Sequence, residues 1–215
     1  MSTATSERKR TIKSAEERRQ DIIAAALALF LEKGFGDTAV GDIASAAGVA
    51  TGTVYLYFPS KDHILIALHE EFHQGMAAHI MEVATDMIER MESGEAIDHH
   101  EPIDTVLDAM ARYSQEKRDF AEVCMRHLPS DLAGAIADGE QRFVQLLTSV
   151  LEQSTSKGIF HTPDPEMFAH LINGAMTWTF GGWAAFGHPE DLDRLVKAAK
   201  EFLYKALAPE PQSAS

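Results

Sequence analysis

The sequence predicts an all-α protein in which a small N-terminal group of three helices precedes a larger helical region. Three observations support this expectation. Apolar residues recur every three or four positions along most of the 215-residue chain, Gly and Pro separate the periodic segments, and no stretch alternates apolar and polar residues as a half-buried strand does.

The composition indicates a globular protein. The chain is 45% hydrophobic, and no apolar run reaches the roughly 20 residues that a membrane-spanning helix needs. The N-terminus is polar and basic rather than signal-like, and the single cysteine, Cys124, cannot form an intramolecular disulfide. We therefore expect a cytoplasmic protein with no membrane partner.

Charge is unevenly distributed along the chain. The net charge is −14, yet residues 1–63 carry 8 basic and 8 acidic residues, so the excess negative charge lies after them. Six of the eight basic residues fall between Arg8 and Arg19. A polyanion would be attracted to this end of the chain and repelled by the rest. A solvated basic tail on an acidic protein explains the same distribution, so charge alone does not decide.

The first predicted helix runs from Ala15 to Lys33. Ser14 can cap its start, and Gly34 can supply the left-handed conformation at its end. The helix is recognised by apolar residues at helical spacing, which are Ile22, Ile23, Ala26, Leu27, Phe30 and Leu31.

Two shorter helices follow, Val40–Ala47 and Thr51–Phe58, separated by Gly48 and stopped by Pro59. This is the arrangement of a helix-turn-helix motif. A second helix so short has few apolar residues to anchor it, so its other face is free to enter a DNA major groove.

The face of the third helix that we expect to point outward is small, hydroxylated and aromatic. Gly52, Thr53 and Leu56 lie opposite Val54, whereas Tyr55 flanks the core side. Leu56 is either a contact to a thymine methyl group or an idle exposed residue.

The motif Ile43-Ala-x-x-Ala-Gly48-Val, followed by Thr51-Gly-Thr-Val-Tyr-x-Tyr-Phe-Pro-Ser-Lys61, resembles the DNA-binding head of the TetR family of bacterial transcriptional regulators. The resemblance spans residues 16–66, and the rest of the chain matches in length and helical texture. It implies a homodimer that binds double-stranded operator DNA. It also implies a larger C-terminal domain that binds a small-molecule effector and dimerises through its last two long helices.

The resemblance also implies which residues contact DNA. The start of the third helix would approach bases, and its tyrosines and the lysine after Pro59 would hold phosphates. Thr38 would touch the DNA backbone at the start of the second helix, although a capping role explains that residue equally well. The expected contacts are Thr38, Thr51, Gly52, Thr53, Tyr55, Tyr57 and Lys61.

Two residues depart from the pattern of the family. Ala50 stands where many members have a capping Ser, and Thr51 stands where a Lys or Arg is common. We expect the cap to shift to Thr51 and one basic DNA contact to be lost, which would change the salt dependence of binding.

The expected organisation is a flexible basic arm over residues 1–14, the helix-turn-helix domain over 15–62, the ligand-binding and dimerisation domain over 63–208, and a disordered tail over 209–215. Within the larger domain, Gly, Pro and polar stretches delimit the predicted helices, which are 60–91, 102–115, 118–126, 131–156, 165–186 and 189–207.

Small and large apolar residues are mixed near the C-terminus, and such a mixture suits close helix packing between subunits. An ordinary intrachain core explains the same mixture, but the resemblance favours the dimer interface. The expected interface residues are Gly174, Trp178, Gly181, Gly182, Ala185, Leu192, Leu195, Val196, Ala199 and Phe202.

Aromatic, Met and Leu residues of the larger domain are candidates to line the effector pocket, and such a lining favours a lipophilic effector. Taken singly, each of them is better explained as plain core. The candidates are Phe72, Met76, Met110, Tyr113, Phe143, Leu147, Met176 and Phe180.

The function we expect is a repressor that leaves its operator when the effector binds, with the fourth helix transmitting the signal. Alternatives remain. A metal-responsive regulator is one alternative, because three pairs of possible ligands lie close in sequence: His69 and His73, Cys124 and His127, and His99 and His100. A chain with 10 His also gives such spacings by chance. We expect no metal, cofactor or catalytic residue, and a helical enzyme or an interaction scaffold is less favoured.

Overall fold

The computed structural model describes residues 13–126, 133–183 and 192–208, without the side chains of residues 84, 86, 88, 91 and 133–140. All regular secondary structure in this part of the chain is helical, which confirms the predicted fold class. The helices are α1 (Ala15–Asp37), α2 (Val40–Ala46), α3 (Thr51–Tyr57), α4 (Lys61–Glu92), α5 (His100–Glu116), α6 (Arg118–Arg126), α7 (Ala133–Ser156), α8 (Pro165–Met176), a π-helical turn (Thr177–Gly181) and α9 (Leu192–Ala206).

The chain divides into two compact units, Met1–Ile64 and Leu65–Ser215. The division falls between residues 64 and 65, inside the first turns of α4, whereas the sequence predicts a boundary between residues 62 and 63. The one helix α4 therefore contributes residues to both units. The predicted tail, 209–215, and all but the last two residues of the predicted arm lie outside the described residues.

The start of α1 is fixed by a capping box. The backbone N–H of Glu17 donates to Ser14 Oγ at 3.1 Å, and the backbone N–H of Ser14 donates to the Glu17 carboxylate at 2.6 Å. These hydrogen bonds lower the pKa of Glu17, with the bond from the Ser14 backbone as the main cause. The local sequence alone therefore sets where α1 begins.

Glycines set the two turns that follow. Gly34 has φ +83° inside the last part of α1, and Phe35 beyond it packs edge-on against Phe30, with ring centroids 5.1 Å apart. Gly48 has φ +66° between α2 and α3, a conformation that residues with a Cβ adopt at a cost. The core of the first unit is formed by Ile22, Ile23, Ala26, Phe30, Ile43, Ala44, Val54 and Phe58.

The second unit is built around two packed helix pairs, α7 with α8 and α5 with α9. On the surface, the Lys200 ammonium lies 2.8 Å from the Asp108 carboxylate and 3.2 Å from that of Asp104, which joins α9 to α5. The buried residues of the shared core include Leu107, Ala109, Leu151, Ala169, Met176 and Phe180.

A π-helical turn replaces part of the continuous helix predicted over 165–186. The α-helix ends at Met176, and Thr177–Gly181 is π-helical. Phe180 and Gly181 are buried there, whereas Trp178 is exposed. A Cβ on Gly181 would lie 2.8 Å from the sulfur of Met125, so the Met125 side chain would have to shift to admit one. Such local widening of a helix is frequent at functional sites.

Gly75 of α4 faces the Tyr113 side chain of α5 so closely that a Cβ would lie 2.9 Å from the ring carbon Cζ. The Tyr113 ring is held by Phe72 and His79, with centroids 5.5 and 5.9 Å away. We expect Gly75→Ala to destabilise the protein by about 1–2 kcal/mol, because an overpacking cost of about 2–3 kcal/mol outweighs the roughly 1 kcal/mol gained in helix propensity.

Urea unfolding of Gly75→Ala, alone and combined with Tyr113→Leu, tests this expectation. Relative to Tyr113→Leu alone, the added alanine should be neutral or stabilising. An unchanged unfolding midpoint for Gly75→Ala in the otherwise unaltered chain would contradict it.

Candidate functional site

The outer face of α3 is open to solvent. This seven-residue helix buries Val54 completely, and Phe58 directly after it is also buried. Leu56 on the opposite side is 83% exposed, and Gly52 is exposed beside it. The predicted division of α3 into an anchored and a free face agrees with this arrangement.

Two details of α3 differ from expectation. Tyr55 is 52% exposed rather than mainly packed, so its ring as well as its hydroxyl is accessible. The N-cap residue is Ala50, and no side chain caps the helix, so Thr51 does not replace the missing Ser. Thr51 is exposed and Thr53 and Tyr57 are half-buried, so none of the three is withdrawn from the surface.

Thr38 lies inside the first unit rather than on its surface. It is buried, and its hydroxyl donates to the carbonyl of Gly34 at 2.8 Å and to that of Leu29 at 3.3 Å. The N-cap of α2 is Ala39, not Thr38. Since the hydroxyl is already satisfied, the predicted DNA contact of Thr38 has no side-chain donor in this conformation.

Lys61 joins the start of α4 to the end of α1. Its ammonium donates to the backbone carbonyls of Phe35, Gly36 and Thr38, at 3.2 Å for Gly36 and 2.8 Å for Thr38. It also lies 4.3 Å from the centroid of the Phe35 ring. An ammonium has three N–H donors, and all three are engaged. The phosphate contact expected of Lys61 stays a prediction, and it requires one of these bonds to be exchanged.

Several cations of the first unit are already paired with carboxylates. Lys13 lies 2.7 Å from Asp21, Arg18 lies 3.9 Å from the same carboxylate, and Lys33 lies 2.9 Å from Asp42. The hydrogen bond from Lys33 is the main cause of the lowered pKa of Asp42. Because exposed pairs are weak, a phosphate can replace the carboxylates, but each exchange reduces the net attraction to DNA.

A cavity of about 50 Å³ lies within the second unit, and six of the eight predicted pocket residues line it. They are Phe72, Met76, Met110, Phe143, Met176 and Phe180. Tyr113 and Leu147 are not among the lining residues: Tyr113 is buried against Phe72 and His79, and Leu147 packs on the apolar core.

The cavity also has a polar part that the sequence analysis missed. His69 and Ser114 line it, are 4% and 1% exposed, and have no hydrogen-bond partner of normal geometry among the described residues. Burial, and to a smaller extent His73, lowers the pKa of His69 to about 4, while the nearby Cys124 backbone acts in the opposite direction. His69 is therefore neutral at physiological pH.

The sequence could have indicated that His69 lines the cavity, because it lies three and seven residues before Phe72 and Met76, and residues at this spacing share a helix face. Cys124 lines the same cavity, and burial raises the pKa of its thiol. It is therefore held as the neutral thiol.

The predicted interface residues differ in exposure. Trp178 and Phe202 are 63% and 58% exposed, and Gly174 is exposed as well. Gly181 and Ala199 are buried within their own subunit, Gly181 against Met125. Ala185 lies outside the described residues, and partly buried positions are held by Gly182, Leu192, Leu195 and Val196.

Two exposed residues that the sequence analysis did not select extend the surface around Trp178. Met167 and Leu171 are both exposed, and the spacing of Met167, Leu171, Gly174 and Trp178 alternates between three and four. This spacing favours a single apolar stripe along α8 into the π-helical turn.

Within the described part of the chain, one group of side chains has the spacing that metal binding needs. Ligand atoms of Asp98, His99 and His100 lie within 4.8 Å of one another, at the protein surface. His69 and His73 instead stack at the cavity, with ring centroids 6.2 Å apart, and His127 lies outside the described residues.

An open recognition helix in a helix-turn-helix unit, with a separate helical unit that contains a cavity, defines the class of ligand-responsive DNA-binding regulators. The family described as "Bacterial regulatory proteins, tetR family" matches residues 22–68, and "Tetracyclin repressor-like, C-terminal domain" matches residues 96–200. The chain belongs to the TetR family of bacterial transcriptional regulators.

Relatives in bacteria are similar over most of the chain. The fatty acid metabolism regulator protein of Bacillus subtilis is 28% identical over 91% of this chain and 98% of its own length. The HTH-type transcriptional regulator SrpR of Pseudomonas putida is 31% identical over 70% of this chain and 67% of its own. Both relatives are regulators by name.

Two solved structures share the fold. The fatty acid degradation regulator FadR from Bacillus halodurans has a TM-score of 0.71 and 27% identity, covering 90% of this chain and 96% of its own. FadR from Bacillus subtilis, solved in complex with stearoyl-CoA, has a TM-score of 0.67 and 26% identity, covering 86% of this chain and 96% of its own. In the part of the present chain that is described, no helix is long and apolar enough to span a bilayer.

Replacing Lys61 tests whether its ammonium holds the first unit together. We expect Lys61→Met to lower the local stability of this unit by about 1–3 kcal/mol, because three carbonyls lose a charged donor. Native-state hydrogen exchange of the amides in α1–α3 measures this loss directly.

Lys33→Met is the matched control, since the Lys33 ammonium reaches the half-exposed Asp42 carboxylate and such pairs contribute below about 1 kcal/mol. Equal effects of the two substitutions would contradict a structural role for Lys61.

Proposed function

We propose that two copies of the chain bind a two-fold symmetric operator, each placing α3 in a major groove, and that a buried acyl thioester releases them. The observation that carries this proposal is the free outer face of α3, where Leu56 is 83% exposed while Val54 fixes the opposite side. Paired recognition helices suit half-sites about one DNA turn, or 34–36 Å, apart.

Within α3 we assign base contacts to Thr51, Gly52 and Thr53 and backbone contacts to Tyr55 and Tyr57. Gly52 allows close approach, hydroxyl groups reach either bases or phosphates, and the exposure of Tyr55 supports its role. Leu56 is positioned to contact a thymine methyl group. Since the described cations of the first unit are mostly paired, hydroxyl and backbone donors carry much of the binding.

The dimer interface is proposed to lie on the apolar stripe of Met167, Leu171, Gly174 and Trp178, together with Phe202 of α9. A single exposed apolar side chain is ordinary in a monomer, but a contiguous stripe of them marks an interaction surface. Gly174 has open space where a Cβ would be, so a partner helix can approach closely there.

The proposed effector is a long-chain acyl-CoA, with its acyl group in the cavity. The similar FadR protein from Bacillus subtilis was solved with stearoyl-CoA, and the cavity lining is mainly apolar. No Asp, Glu, Lys or Arg is among the described residues that line the cavity, so a neutral thioester suits it better than a free carboxylate.

The cavity must enlarge to accept such a ligand. Its volume of about 50 Å³ is far below the roughly 300–1,000 Å³ of ligand pockets. Four flexible methionines can move aside, and they are Met76, Met110, Met125 and Met176.

Enlargement of the cavity acts on α4. This helix carries His69, Phe72, His73 and Met76 of the lining and begins with Lys61, which holds the end of α1. A ligand that prefers a displaced α4 therefore shifts the population away from the DNA-binding conformation. We place this regulator in the cytoplasm, where operator DNA and acyl-CoA both occur, and assign it no catalytic activity.

Disrupting the apolar stripe tests the proposed dimer. We expect Trp178→Lys to convert the dimer to a monomer in sedimentation velocity and to weaken operator binding about tenfold or more, because a desolvated anchor is replaced by a charge. Met81→Lys is the control, since Met81 is an exposed apolar residue of α4 outside the stripe. A Trp178→Lys protein that stays dimeric would contradict the assignment.

Effector release can be measured by fluorescence anisotropy on operator DNA selected from a random duplex library. Stearoyl-CoA should release the labelled DNA, whereas stearate and CoA alone should have little effect, because the described cavity lining has no cation for the stearate carboxylate. Tighter DNA binding in the presence of stearoyl-CoA, or equal release by CoA alone, would contradict the proposed mechanism.

A further inference from the structure

Two buried polar side chains line the cavity in the second unit and make no hydrogen bond of normal geometry within the described part of the chain, although the Cys124 backbone lies near the His69 ring. His69 of α4 and Ser114 of α5 both line it, and neither the His69 ring nitrogens nor the Ser114 hydroxyl finds a hydrogen bond of normal geometry among the described residues. They are 4% and 1% exposed, so bulk water does not satisfy them.

Unpartnered polar groups are uncommon in protein interiors, because each loses its hydrogen bonds to water without replacement. Their presence on a cavity wall indicates a site that a ligand completes. A ligand that enters the cavity of about 50 Å³ gains affinity from these two groups only if it supplies their hydrogen bonds.

The two groups define the chemistry of the ligand atom that faces them. A neutral imidazole has one N–H donor and one acceptor nitrogen, and a hydroxyl both donates and accepts. His69 stays neutral because burial lowers its pKa. Neither group neutralises a carboxylate or phosphate, so the matching partner is a neutral oxygen.

We propose that His69 and Ser114 determine effector specificity by hydrogen-bonding a carbonyl or hydroxyl oxygen in the buried part of the ligand. This inference rests on the proposed acyl-thioester effector and narrows it. The oxygen is that of the thioester carbonyl or of a hydroxyl on the acyl chain, and a plain hydrocarbon in this position is rejected.

Three probes that differ in oxygen content test the proposal in calorimetric titrations. Stearoyl-CoA carries the thioester carbonyl, S-octadecyl-CoA lacks that oxygen, and 3-hydroxystearoyl-CoA carries an additional hydroxyl. The unaltered protein should bind an oxygen-bearing probe about tenfold or more tightly than its oxygen-poor counterpart. The pair that shows the difference identifies which oxygen is read.

Ser114→Ala and His69→Phe should each reduce this discrimination, because the removed group no longer distinguishes the probes. Thr162→Val is the matched control. The Thr162 hydroxyl is also buried, but it is paired with Thr155 and does not line the cavity. It should leave the discrimination unchanged.

Thermal unfolding without ligand gives a second readout that does not depend on which effector is correct. Thr162→Val should lower the Tm by about 2–4 °C, since a satisfied hydroxyl is lost. Ser114→Ala should leave the Tm unchanged or raise it, since an unsatisfied group is lost. A Tm loss for Ser114→Ala equal to that of the control would overturn the proposal.

The outcomes separate this inference from the proposed function. If all three probes bind equally and release operator DNA, an acyl-CoA effector is supported, but the proposed role of His69 and Ser114 in specificity is wrong. If no probe binds, the acyl-CoA effector falls, and the unfolding comparison still decides whether the Ser114 hydroxyl is held ready for a ligand.

Discussion

The short length of α3 is the constraint on which the DNA-binding unit depends. An isolated helix is marginal below about 12–15 residues, and α3 has seven, so it holds its shape because Val54 and Phe58 are buried in the core of the first unit. That anchoring uses one side of the helix and leaves Leu56 on the other side exposed to solvent. Just after α3, Lys61 fixes the start of α4 by donating to the carbonyls of Gly36 and Thr38 at the end of α1.

The second unit shows a comparable balance between stability and function. Its core is apolar and closely packed at Gly75 and Gly181, where glycine lets Tyr113 and Met125 approach the neighbouring helix. The cavity interrupts this packing with flexible methionines and with two polar groups, His69 and Ser114, that make no hydrogen bond of normal geometry among the residues described. A protein gains little stability from such a site. Such a site is understandable if an effector completes it, and four of its lining residues belong to α4, the helix that begins at Lys61.

Much of the first unit could be predicted because its signals are local. Ser14 with Glu17, Gly34 and Gly48 each act within a few residues, so the sequence indicates where helices begin and turn. The role of Lys61 could not be predicted, since its partner carbonyls lie 23 to 26 residues earlier and are brought near by the path of the chain.

In the second unit, the sequence predicted which apolar residues are buried better than it predicted which side chains surround each of them. Six predicted pocket residues line the cavity, but the rotation of each helix decides that Tyr113 and Leu147 do not. Gly181 looked like an interface residue, yet its small size serves Met125 of the same chain. Methylation protection of a selected operator tests most directly whether two α3 helices read paired major grooves, because guanine N7 lies in the major groove and adenine N3 in the minor groove. Two symmetric clusters of protected guanines, centred about 10–10.5 bp apart, are expected. A single cluster, or protection confined to adenine N3, would contradict this expectation.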